Sequence, residues 1–280
     1  MIQPTIAKKE VTLHILKTFG IHMSKKLGQN FLIDESVVDG IVAAAELQAD
    51  DAVLEIGPGI GTLTQGLAET GSHVVAVEID RRLIEVLSQT LGGYENIRVV
   101  HGDILKIDIS REMMAEHYKV VANLPYYITT PIILGLLEAR LPISLLVTMI
   151  QKEVAERMTA SPGGKNYGAL SVAVQYFTEP EIMFIVPPRS FVPSPAVESA
   201  VIRCRVRQQP AVDVRDEKVF FRVVKGAFAQ RRKTLSNALK TTGAGTETIH
   251  NALAAAEIDG SRRGETLSLA EFAAIANAWE

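Results

Sequence analysis

A short apolar segment followed at once by three glycines constrains this chain more than any other feature. Val53–Ile56 is typical of a buried parallel strand, and a helical pattern begins at Thr62. Gly57, Gly59 and Gly61 lie between them. Because glycine has no Cβ, such a turn lets the backbone approach a ligand closely. The segment therefore predicts a ligand site between a strand and a helix.

The next predicted strand, Val74–Val77, is followed by an acid at a spacing that suits a ribose. Glu78 follows Gly57 by 78 − 57 = 21 positions, where a carboxylate can accept hydrogen bonds from a ribose diol. A turn without a ligand is one alternative. A dehydrogenase is another, but its Gly-x-Gly-x-x-Gly motif requires a glycine where Thr62 stands. S-adenosylmethionine has a ribose and no phosphate, so the turn favours this methyl donor.

Alternating strand and helix patterns predict an α/β fold. The predicted strands are 53–56, 74–78, 97–100, 119–122 and 145–150, with closing strands at 183–186 and 200–206. The predicted helices among them are 62–69, 81–91 and 131–139, after a first helix at 8–19 and a second that Asp34 caps. This alternation is typical of a Rossmann-like parallel sheet covered on both faces, whose ligands bind beyond the carboxyl ends of the strands.

The pattern changes near residue 208. Gln208–Pro210 interrupts it, and the predicted helices beyond are 219–228, 235–239, 248–256 and 269–279. A chain of 280 residues suits one large core and a smaller appendage. We therefore expect a Rossmann-like domain with a basic N-terminal extension at 1–208, and a small all-helical domain at 209–280.

Charge is distributed unevenly along the chain, whose net charge is −3. Residues 1–30 carry five lysines and one acid, and residues 203–240 carry 11 basic and three acidic residues. Residues 31–202 carry 11 basic and 22 acidic residues. Two basic segments that flank an acidic body indicate a polyanion bound at the edges, whereas a solvated helix face is the alternative.

Composition also excludes several classes of protein. Cys204 is the only cysteine, so neither a disulfide framework nor a thiolate metal cluster is expected. The six histidines have no ligand spacing, and we expect no bound metal. No apolar run approaches 18 residues and the N-terminus lacks a signal-peptide core, so we expect a cytoplasmic protein.

The turn Asn123–Tyr126 follows an apolar strand directly and suits an aromatic amine. The Asn123 amide and the backbone carbonyl of Leu124 can both accept hydrogen bonds from an exocyclic amino group. Two such acceptors favour a more tetrahedral nitrogen whose lone pair points at a methyl group. Pro125 holds the turn rigid, and the Tyr126 ring offers a face on which a base can stack. A strand-ending turn without a function is the alternative.

Four prolines stiffen the segment Pro187–Pro195 and hold Phe191 in place. A rigid aromatic side chain in a loop can form a second stacking wall for a flipped base. The residue types alone fit a core phenylalanine under a proline-rich loop better, and without other observations that interpretation is preferred.

Nine motifs in order extend these local patterns over most of the chain. They are Gly28–Leu32, Glu55–Gly61, Val77–Asp80, Gly102-Asp103, Asn123–Ile128, Gln151–Arg157, Tyr167–Ser171, Phe191–Pro195 and Arg231–Lys233. Over roughly residues 25–240 the chain resembles the rRNA adenine N6-dimethyltransferases, most closely the KsgA-type group that acts on bacterial small-subunit (16S) rRNA. The resemblance weakens before residue 25 and after residue 240.

The resemblance implies an S-adenosylmethionine-dependent enzyme that dimethylates two adjacent adenines in a hairpin loop near the 3′ end of small-subunit rRNA. It also implies a role in small-subunit biogenesis. By this resemblance the cofactor contacts Asn30, Leu32, Gly57, Gly59, Glu78, Asp103 and Asn123. Glu78 is expected on the ribose hydroxyls and Asp103 on the adenine amino group. The target base is expected to contact Asn123, Leu124, Tyr126 and Phe191.

The basic segments are expected to contact RNA phosphates, through Lys25, Lys26, Arg231, Arg232 and Lys233. The expected partner is small-subunit rRNA within an assembly intermediate, and we expect a monomer without a metal or a membrane partner.

Two other functions stay open. A related group of enzymes methylates adenine in large-subunit rRNA, but the closing motifs Tyr167–Ser171 and Phe191–Pro195 fit the small-subunit group better. A ribosome-assembly factor without turnover is expected to have degraded motifs at Asn123–Tyr126 or Gly57–Gly61, and both are intact.

Overall fold

The computed structural model describes residues 4–21 and 28–279. The chain divides into two compact units, Met1–Ala155 with Glu181–Val206, and Glu156–Pro180 with Arg207–Glu280. The boundary predicted at residue 208 lies next to the last of these divisions. The structure also groups Glu156–Pro180 with the C-terminal residues, which the sequence pattern does not indicate. Separate domains at 1–208 and 209–280 stay a prediction.

The first unit is built around a mixed sheet. The strands of the structure are β1 (Phe31–Leu32), β2 (Ala52–Ile56), β3 (His73–Glu78), β4 (Ile97–His101), β5 (Tyr118–Asn123), β6 (Ile143–Gln151), β7 (Thr178–Val186), β8 (Phe191–Val192) and β9 (Ser199–Val206). The large sheet has seven strands in the order β4-β3-β2-β5-β6-β9-β7. Neighbours from β4 to β6 are parallel, and β9 is antiparallel to β6. Strands β1 and β8 form a separate antiparallel pair.

Helices connect the strands and make up most of the second unit. They are α1 (Lys9–Thr18), α2 (Glu35–Ala44), α3 (Thr62–Ala68), α4 (Arg81–Thr90), α5 (Ile109–Met113), α6 (Thr129–Glu138), α7 (Lys152–Met158), α8 (Ala169–Phe177), α9 (Glu217–Ala229), α10 (Leu235–Ala238), α11 (Thr246–Ala255) and α12 (Leu269–Asn277). In the described part of the chain, none of them combines the length and the apolar character needed to span a bilayer.

The structure confirms the predicted α/β fold class and the Rossmann-like sheet. Each of the five predicted core strands is present within two residues of its predicted ends. Helix α8 was not predicted, because seven of its nine residues are buried and such a segment lacks the apolar stripe of a surface helix. Strand β7 begins at Thr178, five residues before the predicted start at 183.

Two hydrophobic clusters stabilise the first unit. In one, Val37 and Ile41 of α2 pack with sheet residues such as Val147. In the other, Leu16 of α1 packs with Leu87 of α4. Each fully buried aliphatic side chain contributes about 1.5–3 kcal/mol relative to an exposed one. The helices are therefore held to the strands whose ends form the site.

Aromatic packing holds the second unit together. The Tyr176 ring of α8 stacks on Phe220 of α9 with centroids 4.9 Å apart, and the Tyr176 hydroxyl donates to Glu217 over 3.2 Å. Tyr167 is fully buried and its hydroxyl donates to the Leu267 carbonyl over 2.9 Å. The Tyr167 side chain therefore has a structural role within this unit.

One carboxyl group lies inside the apolar sheet. Glu55 of β2 is almost completely buried, and its neighbours along the strand are apolar. Burial raises the pKa of Glu55 from 4.5 to about 8, and the nearby charge of Glu78 acts in the same direction. At neutral pH the group is therefore mostly protonated in the folded protein.

Glu55→Gln should change how stability depends on pH. Between about pH 4.5 and pH 8 the folded protein retains a proton that the unfolded chain releases, so the free energy of unfolding falls as the pH rises. The free energy of unfolding of the glutamine variant does not fall in this way. The difference between the variant and the wild type should therefore grow by about 1.4 kcal/mol per pH unit within that window. Urea unfolding across the window measures the difference. Glu85→Gln, at an exposed position of α4, is the matched control and should keep the wild-type pH profile. Parallel profiles for Glu55→Gln and the wild type would contradict the raised pKa.

Candidate active site

A cavity opens at the carboxyl ends of the central parallel strands. Its volume is about 860 Å³ including the part open to solvent. The residues that line it are Gly28–Leu32, Glu55, Gly57–Gly59, Thr62, Leu63, Glu78, Ile79, Leu83, Asn123–Tyr127 and Phe191. All of them belong to the first unit. The cavity lies where parallel α/β sheets bind their ligands.

The glycine turn exposes backbone to this cavity. Gly57 and Gly59 have φ angles of +69° and +63°, a region that side chains other than glycine rarely adopt. A Cβ on Gly57 would meet no protein atom within 4 Å, so the backbone there faces open space. The Gly57 N–H donates to the Val77 carbonyl over 2.9 Å, which fixes the turn to the end of β3. The turn is thus held in place from the neighbouring strand and leaves room for a ligand.

Glu78 connects this turn to the end of β3. Its Oε2 accepts the Gly59 N–H over 3.2 Å, and its Oε1 accepts the Asp80 N–H over 2.7 Å. Burial raises the pKa of Glu78, although these two backbone donors act in the opposite direction. Each carboxylate oxygen has a further lone pair, so the fixed group can still accept hydroxyl donors from a ligand.

Two further polar groups in the cavity wall have no hydrogen-bond partner among the described residues. They are Oε2 of Glu55 and the hydroxyl of Thr62, and both atoms are buried. Buried polar atoms are rarely left unpaired, so a ligand in the cavity can pair with either of them. Neither residue was predicted to belong to the site. For Glu55 the sequence contained a sign of this role, because an acid within an apolar strand is costly to bury unless a ligand or another residue pairs with it.

Asn123 is the last residue of β5, which pairs with β2 on the side opposite to β3. Its Nδ2 donates to the Asn30 carbonyl over 3.4 Å, which leaves Oδ1 as the amide atom able to accept from a ligand. The following turn is held by the Pro125 carbonyl, which accepts from the Thr129 hydroxyl over 3.1 Å and from the Ile128 N–H over 3.2 Å. Leu124 continues the pairing with β6 by donating its N–H to the Met149 carbonyl over 3.1 Å.

Tyr126 has a fixed ring at the cavity wall. Its hydroxyl shares a 2.7 Å hydrogen bond with the hydroxyl of Ser199, the first residue of β9. Partial burial raises the pKa of Tyr126, so the phenol stays protonated at neutral pH. The ring is therefore anchored at its far end while the residue lines the cavity.

Phe191 is held by the pairing of β1 with β8, in which Leu32 lies opposite Phe191. The Ile33 N–H donates to the Ser190 carbonyl over 2.9 Å, and the Ser190 hydroxyl donates to Oδ2 of Asp34 over 2.8 Å. Asp34 is the residue before α2, as predicted, but its side chain accepts from the hydroxyls of Ser36 and Ser190 and caps no helix N–H. Phe191 is 3% exposed, packs in the hydrophobic core and also lines the cavity, and its stacking on a base stays a prediction.

The structure brings most of the predicted site residues to this one cavity. Those that line it are Asn30, Leu32, Gly57, Gly59, Glu78, Asn123, Leu124, Tyr126 and Phe191. Among the described residues, no group of three or more His, Cys, Asp or Glu side chains is arranged to hold a metal ion.

Asp103 is not among the residues that line the cavity. It follows β4, where its Oδ1 accepts the Leu105 N–H over 3.1 Å and its Oδ2 lies 3.3 Å from Nζ of Lys106. The preceding Gly102 N–H donates to the Glu78 carbonyl over 2.9 Å, so Asp103 lies one strand away from Glu78. A contact of Asp103 with a ligand stays a prediction.

Three of the five predicted RNA contacts fall within the described residues. Lys25 and Lys26 fall outside the described residues. Arg231, Arg232 and Lys233 are exposed residues of the second unit, between α9 and α10.

Several cations of the basic segment 203–240 are paired with carboxylates. Arg203 of β9 forms ion pairs with Glu46 and Glu181 at 2.7 Å each. Arg207 forms one with Glu179 at 2.8 Å. Charge in this part of the segment is therefore neutralised within each unit.

Comparison with known proteins identifies the family of this chain. The family model described as "Ribosomal RNA adenine dimethylase" matches residues 20–278. "Ribosomal RNA small subunit methyltransferase A" of Alkaliphilus oremlandii is 49% identical over 278 residues, which cover 97% of each chain. The protein of the same name from Geobacillus thermodenitrificans is 51% identical over 283 residues, which cover 98% of this chain and 96% of that one.

Solved structures agree with this assignment. A dimethyladenosine transferase from Plasmodium falciparum is similar, with a TM-score of 0.73 and 26% identity over 88% of this chain and 95% of that one. The 23S rRNA methyltransferase ErmE has a TM-score of 0.68 and 30% identity over 89% of this chain and 99% of that one. These matches confirm the resemblance seen in the motifs: the chain belongs to the ribosomal RNA adenine dimethylases, which use S-adenosylmethionine as methyl donor.

Proposed function

We propose that this protein transfers methyl groups from S-adenosylmethionine to the exocyclic amino groups of two adjacent adenines in the 3′-terminal hairpin loop of small-subunit rRNA. Relatives 49% and 51% identical over almost the whole chain are named as small-subunit rRNA methyltransferases, which supports this substrate. One observation carries the chemistry: Glu78 and the glycine turn share a single cavity with the turn Asn123–Tyr126.

The cavity residues fit S-adenosylmethionine. The buried oxygen of Glu55 and the hydroxyl of Thr62 have no partner among the described residues, and a ligand that carries ammonium and hydroxyl donors can satisfy them. Glu78 would accept the ribose hydroxyls, and the open space at Gly57 would admit the ligand against the backbone. Asn30 and Leu32 would close the site from β1 and the residues before it. When bound, the cofactor supplies an electrophilic methyl group on a sulfonium.

The turn after β5 would present the target amine to this methyl group. Oδ1 of Asn123 and the Leu124 carbonyl would accept the two N–H groups of the adenine and favour a tetrahedral nitrogen. Tyr126 and Phe191 would clamp the base between them, and both side chains are held by the contacts described above. Most of the rate enhancement would then come from placement of the amine, because positioning alone can lower a barrier by about 7–11 kcal/mol. The methylated nitrogen can lose its proton to solvent, so no general base is assigned.

Two alternatives are less well supported. The large-subunit enzyme ErmE shares only 30% identity with this chain, against 49–51% for the small-subunit relatives. A non-catalytic assembly factor would not need an intact turn at Asn123 in the same cavity as Glu78. We further propose that the substrate is an assembly intermediate of the small subunit in the cytoplasm.

Methyl transfer from labelled S-adenosylmethionine tests the substrate. We expect label in the adenines of unmethylated small subunits and not in free large-subunit rRNA. Asn123→Ala is the control for enzyme-dependent label. Label in large-subunit rRNA alone would contradict the proposed substrate and favour the large-subunit rRNA methyltransferases.

Glu78→Ala should weaken S-adenosylmethionine binding by about 1.5–3 kcal/mol, because it removes a charged acceptor for the ribose hydroxyls. It should also lower the free energy of unfolding, since the Gly59 and Asp80 N–H groups lose their acceptor. Glu78→Gln keeps one side-chain oxygen in place and separates the two effects. Isothermal titration calorimetry measures affinity, and urea unfolding measures stability. An unchanged dissociation constant in both variants would show that the acid does not contact the ribose.

Phe191→Leu should slow methyl transfer with little effect on RNA affinity. Leucine preserves much of the apolar volume that this buried position requires, but it has no aromatic face, and base stacking is worth about 1–3 kcal/mol. The rate should therefore fall roughly 5-fold to 150-fold, while phosphate contacts keep RNA affinity within a few-fold. Asn123→Ala should reduce the rate further, because it removes an acceptor for the amine. Single-turnover rates beside filter-binding affinities test both variants, and normal turnover in Phe191→Leu would leave this residue with a packing role only.

A further inference from the structure

We propose that the loop of residues 161–165, the glycine loop, is a phosphate-binding element for the rRNA, in which Lys165 binds phosphate and Arg231 positions the loop. The proposal rests on the proposed function, because it assigns a further surface for the same RNA substrate. Within the predicted basic cluster Arg231–Lys233, Arg231 would position the loop, and Arg232 and Lys233 would contact phosphates directly.

Backbone hydrogen bonds give the glycine loop a defined shape. Gly163 has a φ angle of +82°, which favours glycine. The Gly164 N–H donates to the Ser161 carbonyl over 3.1 Å, and the Tyr167 N–H donates to the Gly164 carbonyl over 3.1 Å. All five loop residues are exposed. The loop is therefore an exposed element whose backbone is fixed at its base by the buried Tyr167.

Glu265 fastens one side of this loop. The Glu265 backbone carbonyl accepts the Gly163 N–H over 2.7 Å. Glu265 lies in a short 3-10 helix, Gly264–Thr266, in which a Cβ on Gly264 would lie 2.7 Å from the Ala227 carbonyl oxygen of α9. The short helix is thus packed closely against α9, and the loop is tied to it.

Arg231 fastens the other side. Its Nη2 donates to the Lys165 carbonyl over 2.9 Å and lies 3.5 Å from the Glu265 carboxylate. Gly163, Glu265, Arg231 and Lys165 therefore form a continuous set of contacts that closes around the loop. Since Arg231 already uses one donor on the loop and faces a carboxylate, a phosphate would have to compete with both. The geometry fits Arg231 as a positioning residue.

The remaining basic residues of this surface keep their charge exposed. Lys165, Arg232 and Lys233 are exposed, and none forms an ion pair within the described part of the chain. This distinguishes them from Arg203 and Arg207, which are paired with carboxylates. An unpaired exposed cation binds a phosphate without first breaking an ion pair, and each such contact releases counterions from RNA. Two adjacent glycines beside Lys165 also leave the loop without bulky side chains, so an RNA backbone can approach.

Filter binding of the full-length protein to small subunits, over a range of salt concentrations, tests the proposal. Lys165→Ala should lower the slope of log affinity against log salt by about 0.7–1, the change expected for one lost phosphate contact. Lys218→Ala is the matched control, because this exposed lysine is at the first turn of α9, about 16 Å along the helix axis from its last residue. It should leave the slope unchanged. Affinity for S-adenosylmethionine should be the same in all variants.

A double-mutant cycle tests the role of Arg231. If Arg231 acts through the loop, Arg231→Ala should weaken RNA binding in the wild-type background and have little further effect in the Lys165→Ala background. Additive losses would show that Arg231 contacts RNA itself and would overturn its positioning role. Thermal unfolding of each variant checks that the second unit remains folded.

The outcomes separate this proposal from the proposed function. If the wild type methylates small subunits and Lys165→Ala keeps the wild-type salt slope, the glycine loop does not bind phosphate and only this proposal fails. If the wild type neither binds nor methylates small subunits, both proposals fail. A slope that falls in Lys165→Ala and not in Lys218→Ala supports the loop as a phosphate contact.

Discussion

The pairing of β1 with β8 is the contact on which the candidate site depends. Each strand has two residues, and they join positions separated by 191 − 32 = 159 residues. A pair this short is marginal in isolation, so its stability comes from its surroundings. The hydrogen bond of Ser190 to Asp34 and the burial of Phe191 in the core supply that support. Because Asn30 lies just before one strand and Phe191 lies in the other, the same pairing positions both residues at the cavity, where we propose that they contact the cofactor and the target base.

Buried carboxyl groups at the strand ends set a cost that a ligand can offset. Burial raises the pKa values of both Glu55 and Glu78, and an oxygen of Glu55 has no partner among the described residues. The raised pKa of Glu55 lowers the stability of the ligand-free protein at neutral pH, because folding requires this group to take up a proton. In the proposed complex, the positive charge and the hydroxyl donors of the cofactor would improve the surroundings of Glu55 and Glu78. On this proposal, the arrangement that suits the ligand lowers the stability of the ligand-free protein, as is common at functional sites.

Much of this arrangement could be predicted from sequence, and the reasons for the rest are physical. The central strands were predictable because short apolar runs recur between helical patterns, and the strand ends located Glu78 and Asn123. The pairing of β1 with β8 was not, because two residues carry no periodicity and the partner is distant in the chain. Helix α8 was missed since it is buried on most sides, and the grouping of Glu156–Pro180 with the C-terminal residues depends on contacts such as Tyr176 with Phe220. Phe191 packs in the core, as its residue type indicated, and also lines the cavity, whereas its stacking on a base stays a prediction.

Counts of basic and acidic residues in the sequence are a poor measure of the charge that is free to bind RNA. The segment 203–240 carries eight more basic than acidic residues, 11 − 3, yet its cations are not equivalent. Arg203 and Arg207 are paired with carboxylates, and Arg231 holds a loop carbonyl and faces Glu265. A paired cation must break an existing contact before it can bind a phosphate, so it adds less to affinity and to salt dependence than an unpaired one. The electrostatic contribution to RNA binding therefore depends on how many exposed cations the fold leaves unpaired, and a lysine outside the basic segment, Lys165, can count for more than an arginine within it.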